Sequence, residues 1–129
     1  MNGILLDTNA LLWVLVDDPR LGATSRAALG DAERVYFSSV AVLEITIKEM
    51  LGRLETPGDV SDGAWQAGLV ELPFRSRHAS GLHDLPLPAR HDPFDRMLLS
   101  QALLEGLHFL TSDRRLLALK LPQVLDARD

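Results

Sequence analysis

The chain has 129 residues, 47% of them hydrophobic, with no cysteine and a net charge of −5 from 13 Lys and Arg against 18 Asp and Glu. That length predicts one domain over residues 1–129, with a real core. No apolar run nears the roughly 20 residues of a membrane span, and the lack of cysteine excludes disulfides, zinc–thiolate sites and thiol nucleophiles. The opening residues 1–7 carry neither a cationic leader nor a small-residue cleavage site, so a cytoplasmic protein is expected.

Short apolar runs alternate with helical stretches. Residues 4–6 read as a buried strand, and the helix after them carries Leu11, Leu12 and Leu15. A second helix over 23–29 should end near Gly30. Val35, Tyr36 and Phe37 make the next strand. Ser38 and Ser39 offer an N-cap for a long helix to about residue 51, stopped at Gly52. Residues 56–59 form a turn, a short helix carries Trp65, and 69–72 is a strand ended by Pro73. Residues 75–82 read as a short helix. Leu85-Pro86-Leu87-Pro88 is an extended connector, because residues before proline avoid the helical region. A helix from Pro93 to about 104 ends at Gly106, followed by a strand at 108–110, a helix at 114–119 and a last strand at Val124 and Leu125. This alternation predicts an α/β fold: a three-layer sandwich whose mainly parallel sheet of about five strands is flanked by helices. Trp13 and Trp65 sit among apolar positions and are expected in the core.

Four acids stand where one cluster can collect them: Asp7, Glu44, Asp95 and Asp113. Asp7 follows a buried strand, where it serves either as helix N-cap or as a ligand at the carboxyl edge of a parallel sheet. Glu44 lies on the stripe Val40, Ile47, Leu51, Leu54, which puts a carboxylate on an inward side of its helix. Its ordinary alternative is an ion pair with Lys48 at i+4, worth only about 0.3–0.5 kcal/mol when exposed. Burying an unpartnered carboxylate costs several times that, which favours a cation in the pocket. Asp92 suits an N-cap with Pro93 at N1, while Asp95 aligns with Leu98, Leu99 and Ala102 and faces inward. Asp113 repeats the setting of Asp7, and Ser112 can cap the following helix in its place.

The net charge is of the wrong sign for a nucleic-acid partner. Acids that hold metal change that reading, since two Mg²⁺ would add four positive charges and meet phosphate directly. The arginine pairs Arg75/Arg77, Arg90/Arg96 and Arg114/Arg115 are solvated or contact phosphate. The histidines His78, His83, His91 and His108 lack ligand spacing on one helix, and His91 reads as a surface-loop residue. Hard oxygen ligands without nearby histidine suit Mg²⁺, with Mn²⁺ as substitute.

Together these segments resemble the PIN-domain ribonucleases, and among them the VapC-like toxins of bacterial toxin–antitoxin pairs. Residues 5–13, Leu5-Leu6-Asp7-Thr8-Asn9-Ala10-Leu11-Leu12-Trp13, are similar to that family's first motif. Ser38-Ser39-Val40 through Glu44 to Lys48, closing with Leu51-Gly52-Arg53-Leu54, resembles the second. His91-Asp92-Pro93-Phe94-Asp95-Arg96 resembles the third, and Leu110-Thr111-Ser112-Asp113 the fourth. The resemblance runs to about Val124 and Leu125, but residues 56–85 carry no matching motif. It implies Asp7, Glu44, Asp95 and Asp113 as catalytic Mg²⁺ ligands, with Thr111, Ser112 or Asp92 as auxiliaries. It further implies an RNA substrate, a small antitoxin on a separate chain and a homodimer. The expected reaction is metal-assisted hydrolysis of an RNA phosphodiester by an activated water. Two alternatives stay open: a catalytically silent interaction module whose acids serve as caps, and a phosphotransferase using Asp7. The second usually wants another acid two residues on, where this chain has Asn9.

Overall fold

The computed structural model describes residues 2–129; Met1, part of the opening stretch read above, lies outside the described residues. Five strands form one sheet: β1 (Gly3–Leu6), β2 (Arg34–Ser38), β3 (Val70–Leu72), β4 (His108–Thr111) and β5 (Val124–Asp126). Their order is β3-β2-β1-β4-β5 and every pairing is parallel. Parallel strands need crossovers, and helices supply them. These are α1 (Thr8–Val16), α2 (Ala23–Asp31), α3 (Ser39–Met50), α4 (Val60–Gln66), α5 (Ser76–Ser80), α6 (Pro93–Glu105) and α7 (Arg114–Leu117).

The layering follows from the two-residue period of a strand. In β1, Ile4 and Leu6 enter one core with Ala10, Leu11 and Trp13 of α1 and Ala64 of α4. Leu5 points to the opposite core, with Leu98, Leu99 and Ala102 of α6 and Leu116 of α7. All three β1 side chains are fully buried, so the central strand has an apolar layer on both faces, as parallel sheets require. Burying each such leucine stabilises the fold by roughly 1.5–3 kcal/mol.

Local sequence explains the element ends. Ser38 caps α3 by accepting from the Val40 N–H at 3.0 Å. The α6 helix begins with Pro93 at its first turn and ends at Gly106, whose φ of +67° is a left-handed stop. Several expectations are corrected. α2 runs through Gly30 to Asp31, since one exposed glycine costs a helix only about 1 kcal/mol. The stretch at 75–82 divides into α5 and a 3-10 turn, Gly81–Asp84. Trp65 is 56% exposed: its ring packs edge-to-face with Phe37, ring centres 5.8 Å apart, while short α4 leaves the rest in solvent. Among the described residues, no helix is long and apolar enough to cross a membrane.

Candidate metal centre

Leu6 pairs with Leu110, so β1 and β4 end side by side at the carboxyl edge of the sheet. Strand order runs outward from β1 in one direction through β2 and in the other through β4, which makes this the switch point where open α/β sheets bind ligands. Asp7 leaves β1 in extended conformation and caps α1, its Oδ1 accepting from the Ala10 N–H at 2.7 Å. Its Oδ2 accepts from the Thr111 hydroxyl at 2.6 Å and the Ser112 N–H at 3.3 Å. A carboxylate oxygen has two lone pairs, so capping leaves Oδ1 with one free. The two jobs weighed for Asp7 are therefore compatible. Burial pushes its carboxyl up to about 6; the hydrogen bonds from Thr111, Ala10 and Ser112 pull it down, and the Glu44 charge adds a smaller upward push.

Glu44 is 7% exposed. Its Oε1 accepts from the Thr8 hydroxyl at 2.5 Å and its Oε2 pairs with the Lys48 ammonium at 2.7 Å. The ordinary i,i+4 pair is thus present, and Glu44 faces the pocket as well. The apolar stripe read for this helix is wrong beyond its second turn. Val40, Ala41, Glu44 and Ile45 are buried, whereas Ile47 and Leu51 are exposed, because the last turn of α3 and the residues after it, Thr46 to Arg53, lie at the surface.

Asp92 caps α6, accepting from the Phe94 and Asp95 N–H groups at 2.9 and 3.2 Å. Leu98, Leu99 and Ala102 of the same helix are fully buried, and Asp95 lies on that side. Asp113 itself caps α7, accepting from the Arg115 and Leu116 N–H groups at 2.8 and 3.1 Å. Of the two candidates left open for that cap, Asp113 takes it; the Ser112 N–H is engaged by Asp7 and its hydroxyl accepts from Asn9 at 3.4 Å. α7 is also one turn only, shorter than the expected 114–119.

Burial first, then hydrogen bonding with Asp113 and the charges of Asp113, Asp92 and Asp7, push the Asp95 carboxyl up to about 8. His91 is not a surface-loop residue: it is 7% exposed, and its Nε2 lies 3.3 Å from an Asp95 oxygen. The chain turns back at Pro88, whose carbonyl accepts the His91 N–H at 3.0 Å, and this turn tucks the ring inward.

The structure brings the four acids together. Asp7, Glu44, Asp92, Asp95, Ser112 and Asp113 line one pocket of about 270 Å³. Thr111 stands behind Asp7 rather than in the lining. Sequence reading missed Thr8, Lys48 as a wall of the pocket, His91 and Arg128. Arg128 donates to the Ser112 carbonyl at 2.9 Å and lies over the Trp13 ring at 5.3 Å. It follows β5, and the position of residues just past a parallel strand was the available signal. The donor set is mainly carboxylate oxygen, the chemistry that suits a hard divalent cation. Carboxyls this close repel unless protonated or bridged by positive charge, so the residues present fit such an ion.

A parallel five-stranded α/β sandwich with an acidic pocket at its switch point defines the class of this protein. The family model of the PIN domain matches residues 4–121, and the chain belongs to the PIN domain family. Similar solved structures include VapBC2 from Rickettsia felis bound to a DNA fragment from its promoter, at 13% identity and TM-score 0.65, covering 96% of each chain. A toxin–antitoxin complex from Klebsiella pneumoniae matches at 16% identity and TM-score 0.66, covering 95% of each chain. DNA-bound VapBC from Salmonella typhimurium matches at 18% identity and TM-score 0.62, covering 98% of each chain. At these identities the likeness is one of fold. No curated protein matches the chain in sequence.

Proposed function

We propose that this chain is a metal-dependent endoribonuclease that acts in the cytoplasm as the toxin of a toxin–antitoxin pair. The observation that carries the reading is the meeting of Asp7, Glu44, Asp95 and Asp113, from four separate stretches, in one pocket at the carboxyl edge of the sheet. Membership of the PIN domain family and fold likeness to toxin–antitoxin complexes support it. Asp7, Glu44, Asp95 and Asp113 are the residues that would hold Mg²⁺ or Mn²⁺. A divalent cation bound there supplies the Lewis acidity that polarises a phosphodiester and lowers the pKa of an attacking water.

The chain's own contribution is positional. Thr111 and the Ser112 N–H fix one oxygen of Asp7, and Thr8 fixes Glu44. Asp95 holds a proton near neutral pH and releases it when positive charge arrives beside it. Arg128, at the pocket wall, offers a guanidinium to a phosphate. The partner this reading requires is a small antitoxin presenting a helix or a basic side chain to the acidic pocket. A homodimer follows from the family resemblance.

The silent-module reading keeps one specific support: Asp7, Asp92 and Asp113 each cap a helix. RNA cleavage separates the two. Purified, inhibitor-free protein should cut total cellular RNA into discrete fragments with Mg²⁺ or Mn²⁺ and leave it intact in EDTA. Intact RNA across both metals, from a folded sample, would transfer support to the silent module.

A further inference from the structure

We infer that the His91 imidazole is a nitrogen ligand of this same centre, making it a mixed nitrogen–oxygen site that takes Mn²⁺ and other first-row transition ions in preference to Mg²⁺. The inference rests on the proposed metal site and adds to it a residue outside the acidic set. Its ground is a buried ring nitrogen that stands in ion-pair range of Asp95 but makes no hydrogen bond. The His91 side chain is 4% exposed, and among the described residues its Nε2 has no hydrogen-bond partner. Enclosing a ring nitrogen without a partner gives up its bond to water for no return, so such atoms call for a ligand.

Placement supplies the rest. One His91 ring nitrogen, one Asp95 oxygen and one Asp113 oxygen all lie within 4.8 Å of one another, the ring reaching these acids from the neighbouring hollow of Leu87, Pro88 and Arg115 rather than from inside the acidic pocket. Two donors bound about 2.1 Å from one ion, at about 90–110°, stand about 3.0–3.4 Å apart. Nε2 and the nearer Asp95 oxygen are 3.3 Å apart, yet not aligned as a hydrogen bond. The contact therefore has the spacing of two ligands and lacks the geometry of a donor and acceptor. An imidazole changes which ion is favoured. Mg²⁺ prefers oxygen and keeps its waters, whereas imidazole nitrogen suits the transition metals.

No other histidine competes for the role. His78 is fully buried but engaged, accepting from the Arg75 N–H at Nδ1 and meeting Glu105 through Nε2. His83 is exposed in the 3-10 turn, and His108 opens β4 at the strand end opposite the acids.

The test is pulsed EPR of Mn²⁺ bound to the full chain, without RNA, beside titrations of Mn²⁺ and Mg²⁺. The expected result is ¹⁴N coupling to Mn²⁺ that becomes ¹⁵N coupling when histidine alone is ¹⁵N-labelled. His91→Gln should remove the coupling and weaken Mn²⁺ binding about tenfold, while Mg²⁺ binding changes by less than about twofold. The labelling result stands on the unaltered protein, so it decides even if the variant folds poorly. Bound Mn²⁺ without histidine nitrogen coupling, or coupling that persists in folded His91→Gln, would overturn the role of His91 and leave the acidic site standing. Failure of the unaltered protein to bind either ion would overturn the His91 role and the metal site together.

Discussion

The two sides of the acidic pocket differ in how well their polar groups are satisfied. On the Asp7 side, both carboxylates have donors: Thr111, Ser112 and Ala10 for Asp7, Thr8 and Lys48 for Glu44. On the Asp95 side, two carboxyls crowd together beside a buried ring nitrogen that, among the described residues, makes no hydrogen bond. The first side explains its own charges and forms a rigid wall tied to β1 and β4. The second holds more acids than cations, with Asp92, Asp95 and Asp113 against Arg128, and Asp95 answers by holding a proton. Pre-organised ligands on one side and unsatisfied ones on the other are what a reversible cation site needs.

Substitutions on the two sides should therefore separate activity from stability. The largest effect is expected for Asp95→Asn, which keeps the volume and removes the charge. RNA cleavage should fall by at least about 100-fold, while the metal-free melting temperature holds or rises, because a neutral amide stands among the acids without having to take up a proton. Cleavage at the unaltered rate would remove Asp95 from the site. Thr111→Val should act the other way round. It takes a donor from Asp7 and an acceptor from the Asp113 N–H, so unfolding free energy should drop by about 1–3 kcal/mol in denaturant titration. A variant as stable as the parent would mean that the wall does not depend on this hydroxyl.

The pH dependence sharpens the same contrast. Asp7 and Asp95 have folded values of about 6 and about 8, both above the ordinary aspartate value of 3.8. Between those limits the folded, metal-free protein binds more protons than the unfolded chain. The stability from these groups is therefore fully present below about pH 4 and is lost as pH rises through about 6 and then about 8. Melting in EDTA should decline across that range, and Asp95→Asn should flatten the upper part of the decline. A flat profile for the unaltered protein would contradict the charge shortage on the Asp95 side. The smallest effect is expected for Lys48→Ala, about 0.5 kcal/mol, since the Lys48 side chain is 46% exposed and the pair is screened. A loss of several kcal/mol would make Lys48 the main partner of Glu44.

Much of the fold is legible in local sequence. The apolar triplet at Ile4–Leu6, the Ser38 cap, Pro93 at the start of α6 and Gly106 at its end each act within a few residues, so their signals survive without tertiary context. The acids were legible for the same reason, two at strand ends and two beside buried apolar positions. Where reading failed, the deciding contact was distant. Trp65 looks like core in its own helix, but α4 presents it to solvent. Ile47 and Leu51 extend a regular stripe to positions 37% and 60% exposed. His91 lies four residues before Asp95, but across a cap and a proline, so helical spacing does not describe the pair. Thr8 meets Glu44 across 36 residues, which no local pattern encodes.

The most direct test of the pocket as a metal centre is anomalous diffraction from crystals of this chain soaked in Mn²⁺. A peak among the carboxylates of Asp7, Asp95 and Asp113 is expected, and it should be absent from Asp95→Asn crystals treated alike. An empty pocket in well-ordered soaked crystals, or manganese bound only elsewhere on the surface, would contradict the assignment.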